Sequence, residues 1–189
     1  ENPELYILRI DIKNAKRQSS HLIYQTFGFR TFEVRKNDAL YLNNKKIILK
    51  GVNRHSTYPQ SGKTLNNNIN LKDVVLIKSM NMNAVRTAHY PPDNEFLDIC
   101  DSLGLLVIEE LAGWQSAYDS LAGSELIKEM LLRDINHPSV IMWSNGNEGG
   151  WNEKIEWIFK ELDIQNRTVL HPSSTYNDID TKHYPDMEY

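Results

Sequence analysis

Cysteine is almost missing from this sequence. Cys100 is the one thiol in 189 residues, so no intrachain disulfide can form. It stands at helical spacing from Phe96 in "FLDICDSLG", the setting of a buried structural thiol rather than a nucleophile. Long apolar runs are missing as well. Nothing approaches the roughly 18 consecutive apolar residues that cross a bilayer, so no membrane partner is expected. Positive charge is in deficit, with a net charge of -4, and no basic patch offers a nucleic-acid footprint. Two glycine signatures are lacking. No GxGxxG follows the first apolar strand, and no GxSxG offers Ser144 or Ser173 a nucleophile elbow. No leader is visible, and the chain opens at Glu1 rather than Met. It therefore reads as an excised fragment or processed product, with periplasmic, secreted and cytoplasmic locations all open.

What is present is enough apolar material for a real core: 40% of residues are hydrophobic, with four Trp and nine Tyr. Residues 1 to 38 alternate apolar and polar positions in "ELYILRIDI" and "HLIYQTFGFRTFEVR", on either side of the turn-like "KNAKRQSS". This predicts two antiparallel strands with one face buried, the end of a β-sandwich. From residue 39 the pattern becomes α/β. Strands are predicted in "KKIILKGVNRH", "NAVRTAHYPP", "LLVIEE", "SVIMWSNGNE", "TVLHPSS" and "DTKHYP". Helices are predicted in "LKDVVLIKSMN" through Leu71, Val74, Ile77 and Met80, in "NEFLDICDSLG", in "SELIKEMLLRDI" capped by Ser124, and in "NEKIEWIFKEL" capped by Asn152. "NNN" at 66–68 reads as a solvated loop.

Strand–helix alternation requires a parallel sheet. His55, His89, Glu110, Glu148, His171 and His183 all fall at or just past the C-terminal ends of the expected strands. That edge is where a (β/α)8 TIM barrel builds its active site. Six strands are expected here, and a full barrel takes about 250 residues, so the expected fold is an incomplete TIM barrel.

Glu148, in "NHPSVIMWSNGNEGGWN", is the first candidate for chemistry. Desolvated in part by Trp143 and Trp151, its carboxyl is expected to be raised far enough to donate a proton near neutral pH. Asn147 can bind a substrate hydroxyl, and Gly149–Gly150 leave space for a ligand. A loop carboxylate that caps a helix or pairs with an Arg is the alternative. Glu109 and Glu110 are neighbours on a strand and point to opposite faces. One is expected at the barrel mouth and the other against a structural Arg. Arg86, inside a buried strand, needs a carboxylate partner, as structural support or as a clamp on a catalytic carboxylate. A metal site of His55, His89, His183 and Glu110 is an alternative, but no HxH pair follows the first strand.

"FGFRTFEV", "YLNNKKIILKGVNRHS", "MNMNAVRTAHYPPDNEFLDICDSLGLLVIEE" and "RDINHPSVIMWSNGNEGG" together resemble glycoside hydrolase family 2, nearest to its beta-galactosidase branch. The resemblance implies that residues 1–38 end an immunoglobulin-like domain and that residues 39–189 begin the catalytic barrel. It implies a retaining hydrolase of terminal non-reducing β-D-galactosides, with a carbohydrate as partner and homo-oligomers open. Beta-glucuronidase, beta-mannosidase or an inactive sugar-binding piece are the alternatives. Glu148 becomes the general acid/base and Asn147 the ligand of the sugar hydroxyl beside the scissile bond. His55 and His89 become sugar contacts, with Glu110 at the substrate face, while Arg86 and Tyr184 support the nucleophile. The family nucleophile, a Glu ending the seventh strand, has no counterpart in these residues, so the fragment alone is expected to be inactive. Family members with a site magnesium place a Glu and a His soon after the third strand. Here that stretch is "LAGWQSA", so no cofactor is expected and Trp114 and Gln115 are expected to line the sugar site instead.

Overall fold

The structure, a computed structural model, describes residues 3–177 and 179–183. Strands β1 (Tyr6–Lys13) and β2 (Ser19–Phe27) pair antiparallel as expected. Their turn is fixed by Asn14, whose Oδ1 accepts from the backbone N–H groups of Lys16 and Gln18. The expected buried face is not there. Tyr6, Leu8, Ile10 and Ile12 are exposed, and so are Leu22, Ile23 and Tyr24. Alternation prepares a strand for burial, but a two-stranded ribbon supplies no second layer to bury against.

Strands β3 (Phe32–Val34), β4 (Leu40–Leu42) and β5 (Lys45–Ile47) form a small antiparallel sheet. The boundary expected at residue 38 lies in its first turn. Phe32, Leu42 and Ile47 pack on a cluster formed by Ala84, Leu106, Ile141, Met142 and Leu170, so this sheet covers apolar residues of the main sheet.

The main sheet is parallel, in the order β10-β9-β8-β7-β6. Its strands are β6 (Gly51–Arg54), β7 (Ala84–Thr87), β8 (Leu106–Glu110), β9 (Val140–Ser144) and β10 (Val169–Leu170). Helices α1 (Asn67–Ser79), α2 (Asn94–Leu103), α3 (Ser120–Asp134) and α4 (Trp157–Leu162) connect them. The larger core lies between this sheet and the helices. Val74 and Ile77 of α1, Phe96, Leu97 and Cys100 of α2, Ile127, Met130 and Leu131 of α3, and Ile158 and Phe159 of α4 pack there against Val85, Val107, Val140 and Trp143. Burial pushes the Cys100 thiol well above its usual range, which suits an inert packing residue.

Several local expectations are corrected. The sixth strand, "DTKHYP", does not join the parallel sheet among the described residues. β12 (Ile179–Asp180) instead pairs antiparallel with β11 (Thr175–Tyr176), and residues from 184 onward lie outside the described residues. The buried face of α1 is Asn70, Val74 and Ile77, whereas Leu71 and Met80 are exposed. Asn70 takes a core position because its amide is satisfied there: Arg54 Nη2 donates to its Oδ1 at 2.8 Å, and its Nδ2 donates to Asp93 Oδ1 at 2.6 Å. Asn66 caps α1 by accepting from the backbone N–H of Ile69, and Asn67 and Asn68 lie within the helix, so "NNN" starts a helix rather than making a loop. Helix α3 begins one turn before Ser124, capped by Asp119, which accepts from the backbone N–H groups of Leu121 and Ala122. Ser124 sits inside the helix and its hydroxyl donates back to the Ser120 carbonyl. Asn152 does cap, accepting from the Lys154 N–H, but it opens a 3-10 turn at 153–155 ahead of α4.

Under the sheet, a cavity of about 380 Å³ separates the segment Pro3–Tyr6 and Arg30 from Asp101, Leu105 and Ser139. It lies at the N-terminal ends of β8 and β9. Arg30 reaches across to donate to the carbonyls of Pro138, at 2.7 Å, and Val140, which anchors the lower end of β9.

Candidate active site

The parallel register lays Asn53, Arg86 and Ile108 side by side, and Glu110 beside Ser144. Period-two alternation then points Arg86, Glu110 and Ser144 to one face of the sheet, and Glu109 to the helix side. Glu110 has no exposed surface. Its Oε2 accepts from Arg86 Nε at 2.7 Å and from the Ser144 hydroxyl at 2.6 Å, and its Oε1 meets His89 Nδ1 at 2.7 Å. A carboxylate buried with these partners is satisfied. Glu110, which the sequence led us to expect at the substrate face, lies behind Arg86 and His89 with both oxygens engaged. Because His89 Nδ1 faces that carboxylate, its Nε2 is left for a ligand.

Arg86 finds the carboxylate partner it required, and it also reaches forward. Its Nη1 donates to Asn53 Oδ1 at 3.1 Å and its Nη2 to Asn147 Oδ1 at 2.8 Å. A guanidinium only donates, so this contact fixes which end of the Asn147 amide is the oxygen. Asn147 Nδ2 is thereby turned away from Arg86, and the amide adds a small lowering effect on the Glu148 carboxyl.

Glu148 stands just beyond β9, at φ 45°, in the left-handed region that non-glycine residues seldom occupy. Its side chain is 27% exposed. Trp114 Nε1 donates to Oε2 at 3.0 Å, with Gln115 Nε2 at 3.5 Å from the same oxygen, and His183 Nδ1 is 3.2 Å from Oε1. These bonds favour the charged form. The Trp114 indole contributes most, then His183; burial opposes them, and Gln115 and Asn147 add smaller lowering effects, so the carboxyl is lowered to about 2. The expected upward shift is therefore reversed in this state. The aromatics assumed to desolvate Glu148 lie elsewhere. Trp143 is fully buried and donates to Asp163 Oδ2 at 2.8 Å, and Trp151 stacks on His171 at 5.1 Å.

Of the two glycines expected to leave space, Gly149 faces open space, its would-be Cβ meeting only Gln115 O at 3.9 Å, whereas Gly150, like Gly146, serves close backbone packing. A Cβ on Gly150 would lie 2.5 Å from the Gly113 carbonyl carbon, and one on Gly146 would lie 2.9 Å from the Gly150 oxygen. Their absence lets the loop after β9 lie against the loop after β8. There the Asn147 N–H donates to Gly113 O at 2.7 Å and the Gln115 N–H to Asn147 O at 3.1 Å. A row of rings runs across the same edge: Tyr90 to His55 at 6.1 Å, His55 to His89 at 5.3 Å, and His89 stacked on Trp114 at 5.9 Å.

His55, His89, Trp114, Asn147 and Glu148 are thus gathered on one edge, with Arg86 and Glu110 beneath them. Tyr184 lies outside the described residues. Asn53 and Ser144 were not picked out as site residues from sequence, whereas Gln115 was, and it lies beside Glu148. Only the register that sets Asn53 beside Arg86 and Ser144 beside Glu110 could have found those two. The metal alternative is not assembled among the described residues, since His183 faces Glu148 and His89 is bound to Glu110. Magnesium requires oxygen ligands, and the groups around the Glu148 carboxylate present N–H donors instead, so this donor set does not fit it. Asp98, Asp101 and His137 do come together, but at the opposite end of β9. Asp101 there joins His137 Nδ1 at 2.6 Å to the Ser139 N–H at 2.9 Å, which clamps the start of the strand.

Comparison with known proteins agrees with the fold and shows the family. The chain is 35% identical to a beta-galactosidase of Thermoanaerobacterium thermosulfurigenes over 95% of its own length and 27% of that protein's. It is 37% identical to a beta-galactosidase of Priestia megaterium, over 86% of this chain and 18% of the relative. Among solved structures, the beta-glucuronidase of Parabacteroides merdae superposes with a TM-score of 0.78 at 26% identity, over 89% of this chain and 23% of that one. That of Bifidobacterium dentium gives 0.75 at 30% identity, over 89% and 30%. The chain spans less than a third of the length of each of these relatives. The profile described as "Glycosyl hydrolases family 2, TIM barrel domain" matches residues 32–188. The chain belongs to glycosyl hydrolase family 2, and its parallel sheet and helices are part of that family's TIM barrel.

Proposed function

We propose that this chain carries the acid/base half of a retaining exo-β-glycosidase acting on terminal β-D-galactosides, with residues 1–38 ending a preceding sandwich domain. The observation that supports it best is Glu148 at the C-terminal end of β9, held by Trp114 and Asn147 above the Arg86–Glu110 pair. In the first step Glu148 protonates the departing glycosidic oxygen while a second carboxylate attacks the anomeric carbon. In the second step Glu148 removes a proton from the water that displaces that carboxylate. Such pairs lie about 5–5.5 Å apart. Glu110 has both oxygens engaged, so the nucleophile is assigned to a part of the enzyme outside the described residues. Its negative charge, together with displacement of water by the sugar, raises Glu148 from its resting state into the proton-donating range. Asn147 Nδ2 and His89 Nε2 are the groups offered to sugar hydroxyls, and His55 extends that edge.

The names of the sequence relatives favour galactosides. A second reading, β-glucuronides, draws on the solved structures named above. The test uses the full-length enzyme, with Glu148→Gln compared to wild type on aryl β-galactosides, β-glucuronides and β-mannosides. Glu148→Gln is expected to lower turnover of poor leaving groups by about 10²–10⁴-fold. Retention of full activity would remove Glu148 from the mechanism. No turnover by wild type on any substrate would favour an inactive sugar-binding protein.

A further inference from the structure

An exposed tryptophan at a sugar site is readily taken as a wall for the substrate. Trp114 is 61% exposed, yet its polar edge points inward, with Nε1 3.0 Å from Glu148 Oε2. Two further contacts hold the residue. The backbone of residues 114 and 147 forms a parallel bridge, in which the Asn147 N–H donates to Gly113 O at 2.7 Å. The indole face lies at 24° to the His89 ring, and His89 is itself held by the buried Glu110. Buried Glu110 therefore reaches the mouth carboxylate by two routes, through Arg86 and Asn147 and through His89 and Trp114.

From this we infer that Trp114 is a positioning residue for Glu148, its indole N–H holding the carboxylate as the base that the second half of the reaction needs. The inference rests on the acid/base reading of Glu148. In that half-reaction a water O–H bond breaks and its proton passes to Glu148. The water oxygen bonds the anomeric carbon, and the glycosyl–carboxylate bond breaks with its electron pair returning to the nucleophile. A Glu148 protonated before the water arrives cannot serve. The Trp114 bond opposes that protonation, in keeping with its leading part in lowering the carboxyl. Among the described residues, the other titratable and charged groups near Glu148 are His183 from the segment after β12, Arg86 of β7 and His89 just beyond it, with Glu110 of β8 behind them.

The test is Trp114→Phe in the full-length enzyme, with a 2,4-dinitrophenyl glycoside of the sugar it turns over. That leaving group needs no proton, so the second step limits kcat. Loss of a hydrogen bond to a charged group predicts a fall in kcat of about ten- to hundredfold. The acidic limb of the kcat profile is expected to move to higher pH. Azide, which attacks without a base, should restore turnover and yield the glycosyl azide. Replacing Trp114 with benzothienylalanine, which keeps the ring and lacks the N–H, should give the same result even if Trp114→Phe fails to fold. An unmoved acidic limb in the isostere, or a loss that azide does not restore, would overturn the inference. Glu148→Ala separates the two readings. If azide rescues Glu148→Ala but the Trp114 variants keep the wild-type limb, only the role of Trp114 fails. If azide does not rescue Glu148→Ala, the acid/base reading fails with it.

Discussion

Glu109 and Glu110 are adjacent carboxyls with opposite surroundings. Glu110 is compensated by Arg86, His89 and Ser144. Glu109 is fully buried on the helix side, where burial and then Asp134 push it well above the usual carboxylate range, with Arg133 at 3.7 Å opposing them. A carboxyl raised in the folded state binds more protons there than in the unfolded chain. Its contribution is fully present below the unfolded value of about 4.3 and is lost as pH rises through the folded value. Glu109→Gln keeps the shape without the titration. Its melting temperature relative to wild type is expected to rise steadily between pH 4 and pH 8, as followed by thermal melts at each pH. A constant difference would mean that Glu109 is ionised in the fold. The opposed directions of these two side chains were legible in the sequence, because alternation along a strand is a local rule. The state of Glu148 was not. It is set by Trp114 and His183, 34 and 35 residues away, and no local pattern brings an indole N–H to a carboxylate.

At the scale of elements, the strands and helices could be read from periodicity, while their ends depended on caps that compete. Ser124 stands next to the apolar run of α3 and so resembles a cap. Asp119 takes that role by accepting from the Leu121 and Ala122 N–H groups, and the turn it opens, Ser120–Gly123, presents only Gly123 to the interior. Gly123 is buried, and a Cβ on it would lie 2.6 Å from Ile155. Asp119→Ala is expected to lower stability by about 1 kcal/mol, and Ser124→Ala to change it by less than about 0.5 kcal/mol. Urea unfolding of the two variants compares them directly, and equal losses would place the cap wrongly. The buried face of α1 was misread for a related reason. Asn70 occupies a core position, and its polarity hid the true spacing of 70, 74 and 77 until Arg54 and Asp93 were seen to satisfy it.

Over the whole molecule, the parallel sheet and its helix layer form a continuous core, whereas the β1–β2 hairpin carries apolar side chains into solvent. Fold class was legible because strand–helix alternation leaves few architectures. The exposure of the hairpin was not, since alternation specifies a face to be buried and says nothing of what will cover it. Residues 1–189 produced alone are therefore expected to self-associate through this ribbon, with a sedimentation coefficient that rises with concentration. Replacing Leu8, Ile10 and Tyr24 with Thr should reduce that rise. An unchanged concentration dependence would place the sticky surface elsewhere.

The contact of Gly150 with the Gly113 backbone has a practical consequence for enzyme redesign. With 2.5 Å between the would-be Cβ and the facing carbonyl carbon, the two loops interlock as one part. On the proposed reading, transplanting residues 111–115 alone is expected not to exchange specificity among relatives, because a donor loop of different shape would re-aim Glu148 along with Trp114. A working chimera must transfer 111–115 and 145–150 from the same parent.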